Sequence, residues 1–162
     1  MSGEKVLLHE IGQIGIVVKD IQKSMAQYWN LLGIGPWRVY TLAPPDLTDT
    51  TVHGKPTPYA MRIAIAMIGS LMVELIQPLW GESTYQEFLE ERGEGLHHIA
   101  SYRVEDVEGA IEVLERKGIG VLQSGRWHGA YFAYMDTEEA LGVIVELVRR
   151  TGERPPPEAT YP

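Results

Sequence analysis

The chain repeats itself, and the repeat restricts what it can fold into more than any single motif does. Ile11 to Val18 (IGQIGIVV) is a short, β-branched, apolar run of the kind that forms a buried strand. It leads to Asp20, whose carboxylate can accept hydrogen bonds from the free N–H groups of a helix start. Ile21, Met25, Tyr28, Trp29 and Leu32 then recur at helical spacing, and Gly33 supplies a left-handed stop. His97 to Val104 reads as a second such strand, Asp106 as a second cap, and Val107, Ala110, Ile111 and Leu114 as a second apolar face before Gly118.

Each helix is followed by three strand-like runs. These are Trp37 to Leu42, Tyr59 to Ile68 and Leu71 to Gln77 in the first copy, and Ile119 to Gln123, Ala130 to Met135 and Val143 to Val148 in the second. Gly69-Ser70 reads as a hairpin turn. Between the copies, Ser83 with Gln86 three residues on forms a capping box that opens a short helix ending at Gly93. The expected fold class is α+β: two βαβββ repeats forming a cupped mixed sheet with helices outside, plus a short linker helix. The expected units are 1–80, a linker at 81–95, a second module at 96–150, and a disordered proline-rich tail at 151–162 that adds nothing to the core. The Pro-, Thr- and Asp-rich stretch from Ala43 to Pro58 is expected to be a lid.

Two carboxylates interrupt apolar strands. Glu74 lies in LMVELI and Glu146 in VIVELV, and each closes its copy of the repeat. An ionised carboxylate buried alone is expensive, so each needs a cation, a set of hydrogen bonds or an outward-facing position. Their period-two companions, Met72 and Ile76 for Glu74 and Ile144 and Val148 for Glu146, are apolar, which suits a covered face. Gln13 in the first strand and His98 in its counterpart occupy corresponding places. A two-fold arrangement would bring one imidazole nitrogen and three oxygens to a common point, a donor set suited to Zn, Ni, Co, Mn or Fe. The sequence contains no cysteine, so any metal must be held by nitrogen and oxygen.

Charge narrows the partners. With 14 basic and 22 acidic side chains the net charge is −8, which repels phosphate backbones and anionic lipid, so neither nucleic acid nor membrane is an expected partner. The N-terminus lacks the apolar stretch of a signal peptide, and a cytoplasmic location is expected.

The segments IGIVVKDIQKSMAQYWNLLGIGPW, MVELIQPL, GEGLHHIASYRVEDVEGAIEVLERKGI and LGVIVELV resemble the vicinal oxygen chelate superfamily. That superfamily includes glyoxalase I, methylmalonyl-CoA epimerase, extradiol dioxygenases and bleomycin-resistance proteins. The resemblance, from about Ile11 to Arg149, implies metal ligands at Gln13, Glu74, His98 and Glu146, with Glu146 as the base that removes a proton next to a substrate carbonyl. It implies an isomerase, epimerase or lyase acting on a small carbonyl or thioester compound, and a homodimer. The chain departs from the epimerase pattern, since no glutamate lies between Ile11 and Val73, which leaves Asp46 and Asp49 as substitutes only if the lid folds over the site. Gln13 stands seven residues before Asp20 but His98 eight before Asp106, so the second strand requires a bulge, or else His97 is the ligand. The candidate substrate-binding residues are Arg62, Trp37, Tyr59, Arg126, His128 and Tyr134. Two other readings are a binding or resistance-type protein without catalysis and a metal-dependent dioxygenase.

Overall fold

The computed structural model describes residues 4–162. The first half contains strand β1 (Gln13–Val17), helix α1 (Ile21–Leu32), and strands β2 (Trp37–Leu42), β3 (Leu47–Val52), β4 (Lys55–Pro56), β5 (Ala60–Ile68) and β6 (Leu71–Trp80). Helix α2 (Thr84–Arg92) joins it to the second half, which contains β7 (Gly95–Ser101), α3 (Val107–Glu115), β8 (Val121–Trp127), β9 (Ala130–Met135), α4 (Glu138–Leu141) and β10 (Ile144–Arg150). A last strand, β11 (Ala159–Tyr161), follows. The helix starts are those the caps dictate: Asp20 accepts from Lys23 N at 3.0 Å, Ser83 from Gln86 N at 3.2 Å and Asp106 from Gly109 N at 2.9 Å.

All eleven strands form one sheet, in the order β11-β2-β5-β6-β1-β7-β10-β9-β8-β3-β4. The first copy contributes β2-β5-β6-β1 and the second its mirror in order, β7-β10-β9-β8. The copies meet where β1 runs antiparallel to β7, while each first strand runs parallel to its own last strand, β1 to β6 and β7 to β10. Gln13 faces Ala100 and Gly15 faces His98 across this seam, which makes Gln13 and His98 two-fold counterparts.

Every central strand is covered on both faces. On the outer face α1 packs Ile21 and Met25 against Val39, Ala64, Val73 and Leu75, and α3 packs Val107 and Ile111 against Met135, Val145 and Leu147. The inner face curls into a cup whose core draws on both copies, including Val17, Ile63, Ile76, Ala100, Tyr134 and Val148. Helix α2 inserts Tyr85, fully buried, into that core. Among the described residues no helix is long and apolar enough to cross a membrane.

Two segments depart from the expected organisation. The stretch 43–58 is not a lid: β3 crosses to the second half and pairs with β8, burying Leu47 and Val52, and turns into the two-residue edge strand β4, so its polar Thr and Asp residues lie beside the sheet's edge. The proline-rich tail is not disordered: β11 pairs with β2, and Tyr161 packs against the α1 side of the sheet. A proline-rich segment lacks many backbone donors, but three residues suffice to extend an open edge.

Candidate active site

The four donors come together at the centre of the cup. Strand alternation puts Gln13 on the inner face of β1, Glu74 on that of β6, His98 on that of β7 and Glu146 on that of β10, because the intervening residues Ile14, Val73, Ile99 and Val145 pack under the helices. All four are buried. His98 Nε2 stands 3.1 Å from Glu146 Oε2, 3.3 Å from Gln13 Oε1 and 3.8 Å from Glu74 Oε2. The amide of Gln13 is oriented by its Nε2, which donates to Tyr102 Oη at 3.2 Å.

The two histidines are told apart by a bulge. The β1–β7 register passes from Gly15 opposite His98 to Ile16 opposite Leu96, so His97 is the extra residue on β7. Its ring packs among Tyr85, Phe88 and Tyr134 rather than among the carboxylates. His97 Nδ1 lies 3.1 Å from His98 Nδ1, and burial, reinforced by His98, pushes the His97 pKa down to about 3, so it is a neutral partner to the ring of His98. Gly15 makes room for that ring: a Cβ there would lie 2.0 Å from His98 Cε1. A glycine inside an apolar strand is the sequence signal of such a close approach.

Electrostatically the cluster is short of positive charge. Burial first, and Glu146 second, raise the Glu74 carboxyl to about pH 7, only partly offset by His98 and Arg154. Glu146 Oε2 is buried without a hydrogen bond of good geometry. Among the described residues no three His, Asp or Glu side chains stand as a ready-made metal cage; the carboxylates here close on His98 itself.

The cluster opens onto a small, mostly apolar cavity of about 40 Å³, room for a few waters. Its walls include Met61, Ile63, Tyr102, Phe132 and Tyr134, and among the described residues its carboxylates are Glu74 and Glu146. The Tyr134 ring packs at a tilt against the His98 ring, 4.7 Å between centroids, and shares a 2.8 Å hydrogen bond with Tyr85 Oη, and burial raises the pKa of both phenols.

The other candidate binding residues do not reach this cavity. Trp37 is wholly buried under α1, because it falls on the helix side of β2. Tyr59 is buried in the core and donates to the Ser124 carbonyl at 3.0 Å. Arg62 alternates with the cavity residues Met61 and Ile63 and so faces the other way. Arg126 lies outside, paired with Glu108 and 4.1 Å over the Tyr131 ring. His128 sits in the β8–β9 turn, its ring exposed near Asp46, and only its carbonyl turns back, accepting from Arg150 Nη1 at 2.9 Å. Asp46 and Asp49 face these outer groups, not the cavity. Tyr85, Tyr102, Arg150 and Arg154 line the cavity although the sequence patterns do not single them out.

Comparison with known proteins agrees with this fold. Residues 12–134 match the Glyoxalase/Bleomycin resistance protein/Dioxygenase superfamily. The chain is 30% identical over 148 residues to an ethylmalonyl-CoA/methylmalonyl-CoA epimerase of Cereibacter sphaeroides, covering 87% of this chain and 98% of that one. Its fold matches that of a Streptomyces coelicolor methylmalonyl-CoA epimerase variant in complex with 2-nitronate-propionyl-CoA, with a TM-score of 0.66 and 24% identity over 90% of this chain and 100% of that one. A methylmalonyl-CoA epimerase in complex with methylmalonyl-CoA and NH4+ gives a TM-score of 0.66 and 25% identity, covering 92% of this chain and 100% of that one. The chain belongs to the glyoxalase/bleomycin resistance protein/dioxygenase superfamily, within the vicinal oxygen chelate fold.

Proposed function

We propose that this protein is an epimerase-like enzyme that moves a proton on the carbon next to the carbonyl of a small acyl thioester, with a divalent cation held by Gln13, Glu74, His98 and Glu146. The observation that carries the reading is the buried convergence of these four side chains on His98 Nε2, from four strands and both copies of the repeat, with Glu74 and Glu146 on the wall of one cavity. Two carboxylates against one imidazole, with a buried carboxylate oxygen lacking a good partner, are the environment a cation stabilises. Metal bonds of about 2.0–2.2 Å place neighbouring ligand atoms roughly 3.0–3.5 Å apart. The separations of 3.1 and 3.3 Å from His98 Nε2 suit this, and Glu74 at 3.8 Å needs to approach by a few tenths of an ångström. Zn, Ni, Co, Mn and Fe all accept such donors.

When bound, the cation polarises the substrate carbonyl and stabilises the negative charge that develops on its oxygen. Glu146 accepts the proton from the adjacent carbon. Glu74, the two-fold counterpart of Glu146 and the other carboxylate on the cavity wall, starts protonated, as its raised pKa allows, and gives its own proton to the opposite face; Glu146 keeps the proton it took, and the pair resets by exchange with water after release. The apolar walls and buried tyrosines keep bulk water from quenching the carbanion. The relatives named as epimerases support this chemistry over sequestration or oxygenation.

The test is hydrogen exchange. In D2O, with added Co(II), the protein should exchange the hydrogen next to the carbonyl of methylmalonyl-CoA, and E146Q should lower that rate by about 10²-fold or more. Exchange by E146Q at the wild-type rate contradicts the assignment of the base.

A further inference from the structure

The remaining charges on the cavity wall are Arg150 and Arg154, and neither takes part in the chemistry above. Arg150 ends β10. Arg154 lies four residues on, in the segment that leaves β10 and fastens to β2, where Glu158 N donates to Val39 O, the Glu158 carboxylate accepts from Thr41, and β11 pairs. This segment straps the second copy to the far edge of the first. Arg154 reaches back to donate to Tyr102 Oη at 3.3 Å, the same phenol that accepts from Gln13.

Neither guanidinium has a carboxylate within ion-pair distance among the described residues, whereas the neighbouring Arg149 is paired with Glu108 at 2.5 Å. Arg150 spends one N–H on the His128 carbonyl and keeps a buried Nε without a partner. Its charged form is disfavoured first by burial and then by Arg154, the other cation on the same cavity wall. Both also line a second groove, on the outer surface, with Arg38 and Glu153. The pair therefore stands where that groove meets the cavity. A divalent cation would offset Glu74 and Glu146, leaving both guanidiniums unbalanced, and a planar guanidinium fork matches carboxylate or phosphate oxygens.

We infer that Arg150 and Arg154 form an oxyanion-binding gate between the outer groove and the cavity, with the C-terminal strap holding Arg154 in place to grip a carboxylate or phosphate of the incoming ligand. The strap thus has a binding role, and the identity of the incoming ligand as a substrate rests on the proton-transfer reading above.

The test is calorimetric titration of the Co(II)-treated full chain with malonate and, separately, with inorganic phosphate. Wild type should bind at least one of them, and both R154Q and a chain ending at Gly152 should weaken that anion by about tenfold or more, with Co(II) uptake close to wild type in both and the melting temperature close to wild type in R154Q. R150Q should do the same, and R154Q supplies the result if R150Q fails to fold. Preference for malonate assigns the gate to an acyl carboxylate; preference for phosphate assigns it to a phosphate on the ligand's carrier. Anion affinity unchanged in R154Q and in the shortened chain, or no anion binding by wild type, overturns the gate. Cobalt absorption on the same samples separates the two readings: uptake with arginine-independent anion binding removes the gate alone, and arginine-dependent binding without uptake removes the metal site alone.

Discussion

Gly15 and His98 face each other across the seam between the two copies, so close that a methyl group on Gly15 would stand 2.0 Å from His98 Cε1. The contact is to an imidazole that is itself fully buried, so the ring cannot swing away into solvent. Gly15→Ala should therefore displace His98 from Glu146 and Gln13. The expected outcome is a loss of metal affinity of at least about tenfold and a destabilisation of about 1–3 kcal/mol, the usual cost of overpacking a core. Metal titration and thermal melting of the variant check this; wild-type metal affinity would show that His98 is not held by this contact.

His97 should act on the site through His98. If His98 Nε2 holds a cation, the proton of that ring sits on Nδ1, and neutral His97 is placed to accept it through the 3.1 Å contact. His97→Phe should fill much the same space yet lower metal affinity by about 10–100-fold, while His98→Ala should abolish binding. Equal effects of the two substitutions on metal stoichiometry would mean that the bulge does not distinguish them.

The Glu74 carboxyl makes a pH prediction with a definite sign. Its pKa rises from 4.5 to about 7 on folding, so between those values the folded protein holds a proton that the unfolded chain has released. Stability of the metal-free protein should be highest near pH 4.5 on this account and should fall as pH rises toward 7. Thermal melts in chelator across that range should show the decline, Glu74→Gln should flatten it, and saturating metal should reverse it. A melting temperature that climbs steadily from pH 4.5 to 7 and is indifferent to Glu74→Gln would contradict the burial of this charge.

The repeat made the architecture readable. Caps at Asp20, Ser83 and Asp106 were visible because a cap is a local event, and the carboxylates in LMVELI and VIVELV stood out because apolar neighbours on both sides leave a charge no cheap alternative. What was not readable depended on distant partners. Strand β3 is polar and irregular, and it becomes a strand only because β8 presents an open edge. Strand β11 depends in the same way on β2. The binding residues were misplaced for a further reason: strands covered on both faces are apolar on both, so alternation shows that Arg62 opposes Met61 and Ile63 without showing which side is the cup. Trp37 was drawn to the wrong face by the same ambiguity. Arg150 and Arg154 reach the cavity through a strap whose path no local pattern encodes.

Metal stoichiometry is the most direct test of the central claim. Elemental analysis of the dialysed protein, beside a variant carrying both His98→Ala and Glu146→Ala, should find about one divalent metal per chain in the wild type, as isolated or after addition of Zn, Ni, Co, Mn or Fe, and none in the variant. No uptake of any of these metals by a folded wild-type protein, or equal uptake by the variant, would contradict a metal site built from Gln13, Glu74, His98 and Glu146.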